Sequence, residues 1–115
     1  MNDIESLKSA LRQFAAERDW GQFHSPKNLA MALTVEAAEL QEHFQWLTEA
    51  QSRELNADKK RAVAHEMADV FIYLVQMSNQ LDVDLMAVAR EKMALNAKKY
   101  PVDTSKDLTR KPHAS

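Results

Sequence analysis

Cysteine is absent from this chain, which excludes disulfides, thiolate metal sites and a cysteine nucleophile in one step. Glycine occurs once, at Gly21, and proline three times, at Pro26, Pro101 and Pro112. So little punctuation over 115 residues argues for long helices joined by short connections. No apolar run approaches the roughly 20 residues that span a bilayer. The first residues mix acids with apolar side chains and lack a secretory apolar core. A cytoplasmic protein without a membrane partner is the expectation. The formal net charge of −2 supplies no basic field, so no nucleic-acid polymer is expected as a partner.

Alanine, leucine, glutamate, lysine and methionine are abundant, and all are good helix formers. Four main helices are expected. The first covers residues 2–19, with Ile4, Leu7, Leu11 and Phe14 on one face. Residues 19–24 break the chain. Ser25 as N-cap and Pro26 at the first helical position start the second helix, which runs to residue 47. Residues 48–56 form a polar connection with room for a short helical turn. The third helix spans 58–80, and the fourth is capped near Asp82 and runs to Lys99, where Pro101 stops it. The fold class is all-α, a four-helix bundle. Residues 1–101 read as one helical domain and 102–115 as a polar, flexible tail.

The third helix carries Val63, Met67, Val70, Leu74 and Met77 as one stripe, widened by Ala68, Phe71, Ile72 and Val75. A helix apolar on nearly every side needs burial on nearly every side. A lone domain of this size buries only about 65% of its unfolded surface. A second copy covering the outer face is the simplest remedy, so a homo-oligomer is expected.

Four acids stand out against this pattern. The second helix has an apolar stripe through Leu29, Leu33, Ala37, Leu40, Phe44 and Leu47. At 100° per residue Glu36 falls inside it, within about 20° of Leu29, and Glu39 sits at its edge. On the third helix Glu66 points inward between Val63 and Tyr73, with Asp69 at the margin. Each pair is spaced i, i+3 and shares a helical face. A buried unpaired carboxylate costs several kcal/mol, so it neutralises, pairs or binds a cation. Four converging acids suit a hard divalent cation with oxygen ligands, magnesium or manganese. Such pairs also recur on solvated helix faces, and the inward placement of Glu36 and Glu66 is what singles these out. Di-iron bundles use Glu-x-x-His, and no histidine here lies three residues after a glutamate.

Read in order, Glu36-Ala37-Ala38-Glu39 and Glu66-Met67-Ala68-Asp69 resemble the paired motifs of the MazG-like all-α nucleotide pyrophosphohydrolases. The stretches FAAERDWGQFHSPKNLAMALTVEAAELQEHFQW (14–46), EMADVFIYLVQMS (66–78) and KMALNAKKYP (92–101) look like the dCTP pyrophosphatase branch of that family. The resemblance implies magnesium-dependent hydrolysis of a deoxynucleoside triphosphate, dCTP or a modified dCTP, to the monophosphate and pyrophosphate. Nucleotide pool cleaning is the role it implies, in a homotetramer or at least a dimer. It assigns Glu36, Glu39, Glu66 and Asp69 to the metal and the chemistry. Phe14, Trp20, His24 and Trp46 match positions around the base; Tyr73, Lys92, Asn96, Lys99 and Tyr100 match positions around the sugar and phosphates. One departure is Leu11, where the animal enzymes carry a histidine; if that histidine reads cytosine, base selectivity here is broader.

Phosphoryl transfer needs positioning and charge stabilisation more than covalent chemistry, which a magnesium ion held by the four acids would supply. A water would attack in line, with an acid, Glu39 at the stripe's margin, taking its proton. Blander readings accompany the flanking residues. Lys92, Asn96 and Lys99 also fit a solvated helix end, where lysines are favoured. Trp20, Phe23 and Trp46 also fit core filling, and His24 a helix entry. His43 and His65 read as surface. Competing functions are a hydrolase of the same fold for dUTP, an oxidised nucleotide or a phosphoribosyl nucleotide, and a non-catalytic helical assembly module.

Overall fold

The structure, a computed structural model, describes residues 3–102. The tail expected over 102–115 therefore lies, past Val102, outside the described residues. The elements are α1 (Ile4–Glu17), a 3-10 turn (Gly21–Phe23), α2 (Pro26–Glu42), α3 (Glu49–Arg53), α4 (Ala57–Leu81) and α5 (Leu85–Lys99). No strand occurs among the described residues.

Each α-helix starts on a side chain that accepts from an otherwise unpaired backbone N–H. Asp3 accepts from the Ser6 N–H at 2.8 Å, and Ser25 from the Asn28 N–H at 3.1 Å, with Pro26 beside it as expected. The short turn allowed for in the polar connection is α3, closed by a reciprocal box between Thr48 and Gln51. Asn56 caps α4 and Asp84 caps α5.

The first helix is two residues shorter at each end than expected, Ile4–Glu17, and two later boundaries differ as well. The second helix ends at Glu42 rather than 47. Residues 43–47 continue as tight turns, with the Phe44 N–H donating to Gln41 and the Leu47 N–H to Phe44, both at 2.9 Å. Asp82 does not begin the last helix. It ends α4 in the left-handed region at φ 53°, and Asp84 takes the N-cap. Asp19, just past α1, has the same φ of 53°. Glycine usually fills such positions at helix ends, and aspartate tolerates them better than most side chains. With a single glycine in the chain, aspartate takes both.

The chain divides between Val83 and Asp84 into two compact units. In the first, α4 packs against α2 and α1, around the buried side chains of Leu29, Val63 and Val75. Lys8 is buried too. Its Nζ donates to the Val83 carbonyl at 3.3 Å, while Asn79 Nδ2 donates to the Lys8 carbonyl at 3.2 Å. These bonds tie α1 to the C-terminal end of α4, where a helix dipole favours a cation. Burial of α4 is one-sided in the single chain: Met67, Phe71 and Leu74 are exposed, as are Met31 and Val35 on α2. The second unit is built on α5, which closes with the Tyr100 N–H donating to the Asn96 carbonyl at 2.7 Å.

Candidate functional site

Packing of α2 against α4 brings the two acidic motifs together. One carboxylate oxygen from each of Glu36, Glu39 and Glu66 lies within 4.8 Å of the others. All three side chains are half-buried. Glu36 Oε2 and Glu66 Oε2 are buried with no hydrogen-bond partner. Buried acceptors without donors are uncommon in native structures and call for a missing partner. A set of hard oxygen donors, two of them orphaned, fits a divalent cation with oxygen ligands.

Electrostatics agree with the geometry. The Glu36 carboxyl is pushed up from the ordinary value of 4.5 to about 7. Its burial comes first, followed by sharing of its proton with the carboxylates of Glu39 and Glu66 and by the negative charge of Glu39 and Asp69. Desolvation and like charges both disfavour ionisation. A cation at the same place would reverse the second effect.

Sequence periodicity placed Glu39 at the rim with Asp69. Glu39 joins the cluster with Glu36 and Glu66, although only the latter two have a buried, unpartnered oxygen. The rim position belongs to Asp69, which is exposed and lines the adjoining cavity beside Glu36.

That cavity holds about 280 Å³, close to the lower bound of roughly 300 Å³ for small-molecule sites. The acids Glu36 and Asp69 stand in its wall, with Tyr73 one turn beyond Asp69 on α4. The rest of the lining comes from Leu11, Phe14, Trp20, His24, Ile72 and Gln76. Phe14 and Trp20 meet edge-to-face with centroids 5.5 Å apart, and Trp20 meets His24 at 6.1 Å. The break after α1 turns the chain so that this aromatic set faces α4. Arg18 lies over Phe14 at 3.5 Å from the ring centroid. A second cavity of about 360 Å³ shares Leu11, His24 and Gln76 with the first.

Of the residues expected from sequence, Phe14, Trp20, His24, Tyr73, Glu36 and Asp69 thus share one cavity, and Glu39 and Glu66 join Glu36 in the acid cluster. Trp46 does not join them. It lies in the turns after α2, 87% exposed, because α2 stops four residues before it. Lys92, Asn96, Lys99 and Tyr100 belong to the second unit, with the Lys99 Nζ 5.7 Å from the centroid of the Tyr100 ring. His65 is exposed as expected, and His43 is half-buried. Gln76 was not foreseen. It is 8% exposed and its Oε1 is buried without a partner. The available signal was a polar residue inside the apolar run Phe71–Met77, three positions after Tyr73.

The chain is similar to known proteins. The profile of the MazG-like family matches residues 31–113. The chain is 37% identical to human dCTP pyrophosphatase 1, over 97% of this chain and 69% of that protein. It is 40% identical to the rat enzyme of the same name, over 90% of this chain and 62% of that protein, so it spans rather less than two thirds of the rat relative. Among solved structures, a pyrophosphatase from Archaeoglobus fulgidus is similar at a TM-score of 0.68 and 34% identity, over 84% of this chain and 91% of that one.

Proposed function

Because the chain belongs to the MazG-like family, we propose that it is a nucleoside triphosphate diphosphatase that converts dCTP, or a base-modified dCTP, to the monophosphate and pyrophosphate. The observation that carries this reading is the cluster of Glu36, Glu39 and Glu66 opening beside an aromatic-lined cavity. The substrate is taken from the relatives named dCTP pyrophosphatase 1. Its role is nucleotide pool cleaning.

The four acids Glu36, Glu39, Glu66 and Asp69 would hold magnesium, or manganese in its place. Bound there, magnesium supplies positive charge that offsets the charge developing on the transferred phosphoryl group. The remaining steps fall to the protein. Phe14 and Trp20 present aromatic surface on which a base stacks, with His24 beside them. Tyr73, one turn from Asp69, is the candidate to contact the sugar. Proton transfer from the attacking water falls to an acid of the cluster; Glu39 is our candidate, with Glu36 and Asp69 in the cavity wall beside it. Lys92, Asn96, Lys99 and Tyr100 are the second unit's candidates for the triphosphate.

The exposed apolar side chains Met31, Val35, Met67, Phe71 and Leu74 support a homo-oligomer, a dimer or tetramer, in which another copy covers the outer faces of α2 and α4. Trp46 extends the apolar surface available to such contacts. No described helix is long and apolar enough to cross a membrane, and the reading of a cytoplasmic protein is retained.

The test is a panel of dCTP, dUTP, dTTP, an oxidised purine deoxynucleotide and a phosphoribosyl nucleotide, assayed for pyrophosphate release with magnesium. Fastest turnover of dCTP or its 5-substituted forms supports the reading. Turnover of none of them points to the assembly module instead.

A further inference from the structure

Gln76 has no part in the site as described so far. It is buried to more than nine tenths, lines the same cavity as Phe14 and Trp20, and its Oε1 has no hydrogen-bond partner. A buried acceptor left unpaired costs free energy that a native fold seldom tolerates without a use. What it lacks is an N–H or O–H donor.

The position of Gln76 on α4 says where that donor comes from. Glu66, Asp69, Tyr73 and Gln76 follow at spacings of 3, 4 and 3 residues, which keeps them on one face of the helix. Asp69 and Gln76 are seven residues apart, about 10 Å along the axis. The acid cluster marks the phosphate end of this row. Gln76 marks the far end, past Tyr73, at the distance of a sugar plus a base. The neighbouring wall at that end, Leu11, Phe14, Trp20 and Ile72, offers aliphatic and aromatic surface with no carbonyl or amide in its side chains. A flat base can stack there, and an amino group on its edge finds a side-chain acceptor at His24 or Gln76, since the Trp20 indole N–H only donates.

We propose that Gln76 is a specificity-determining residue whose Oε1 accepts a hydrogen bond from the exocyclic amino group of the substrate's base, an amino-bearing pyrimidine. The inference rests on the nucleotide reading above. It goes further in naming the group that recognises the 4-amino substituent.

The experiment compares dCTP with pyrimidin-2-one deoxynucleoside triphosphate, which is dCTP without its 4-amino group. The wild-type protein and the variants Gln76→Met and Gln76→Glu are assayed by pyrophosphate release. Wild-type protein favours dCTP in kcat/KM by about 10- to 100-fold, the penalty for leaving a buried polar partner unpaired. Gln76→Met keeps the length of the side chain and removes the acceptor, so that ratio collapses toward one. Gln76→Glu keeps an acceptor and retains the preference. A merely structural role for Gln76 would lower both substrates together and leave the ratio intact, and that result overturns the inference. So does a wild-type protein that treats the two substrates alike. If wild-type protein releases pyrophosphate from neither, it is the nucleotide reading that fails, and the two failures are told apart.

Discussion

Three carboxylates held together without a cation should make the metal-free protein unusually sensitive to pH, and Glu36 is where this can be measured. Its native pKa is raised to about 7, well above that of the same carboxyl in the unfolded chain. Between about pH 4.5 and 7 the native state therefore holds a proton that the unfolded state has lost. Stability of the metal-free protein falls as pH rises across that window, and the penalty is constant above it. A shift of this size corresponds to at most roughly 3 kcal/mol. Water at the half-open site screens it, leaving on the order of 1–2 kcal/mol. For a chain of this length that is a change of about 4–8 °C in melting temperature. Glu36→Gln removes the ionisation. In excess chelator its melting temperature should rise relative to wild type as pH increases from 5 to 8, ending several degrees higher. With magnesium the order should reverse. Wild type gains about 2.7 kcal/mol at a metal concentration a hundredfold above its Kd, and the variant gains little. Circular dichroism melts of both proteins along this pH series decide the matter. Parallel curves for the two proteins, with no divergence between pH 5 and 8, would refute the reasoning.

Further outcomes are expected elsewhere. Glu66→Gln should reduce pyrophosphate release at least a hundredfold while the far-ultraviolet dichroism stays helical, because it removes the charge of a carboxylate whose buried oxygen lacks any other partner. Trp20→Ala should raise KM for the nucleotide by roughly tenfold, the loss of about 1–3 kcal/mol of base stacking, measured in the same assay. Asp82→Gly should stabilise the fold by about 0.5–1 kcal/mol in urea titrations, since glycine takes the left-handed φ at this helix end without a Cβ penalty. Phe71→Glu places a charge on the exposed apolar face of α4 and should lower the mass measured by size-exclusion chromatography with light scattering. An unchanged mass would remove that face from the assembly.

Much of the fold is legible in the residues because its signals are local. Ser25 followed by Pro26, and Pro101 after a lysine-rich turn, mark helix ends through capping and the missing proline N–H. The i, i+3 spacing of the acids makes each pair neighbours on a single helix. What escapes is set by tertiary structure. The end of α2 carries no glycine or proline, and Phe44 and Leu47 continue its apolar period, so nothing local announces the turns at 43–47. Asp82 and Asp84 are the same residue type two positions apart. Only the left-handed backbone at the first separates a helix end from a helix start. Glu39 lies near the edge of a helical wheel, and only the packing of α4 against α2 brings Glu66 within reach of it. Gln76 sits inside an apolar run and reads as an interruption until the cavity wall is seen.

The proposed reaction breaks one bond, the link between the phosphate that stays with the nucleoside and the pyrophosphate that leaves. Phosphorus NMR of a dCTP reaction follows it directly. With magnesium the spectrum should show deoxycytidine monophosphate and pyrophosphate growing in equal amounts, and in excess chelator dCTP should persist. Release of inorganic phosphate with the diphosphate, or equal turnover with chelator present, would contradict it.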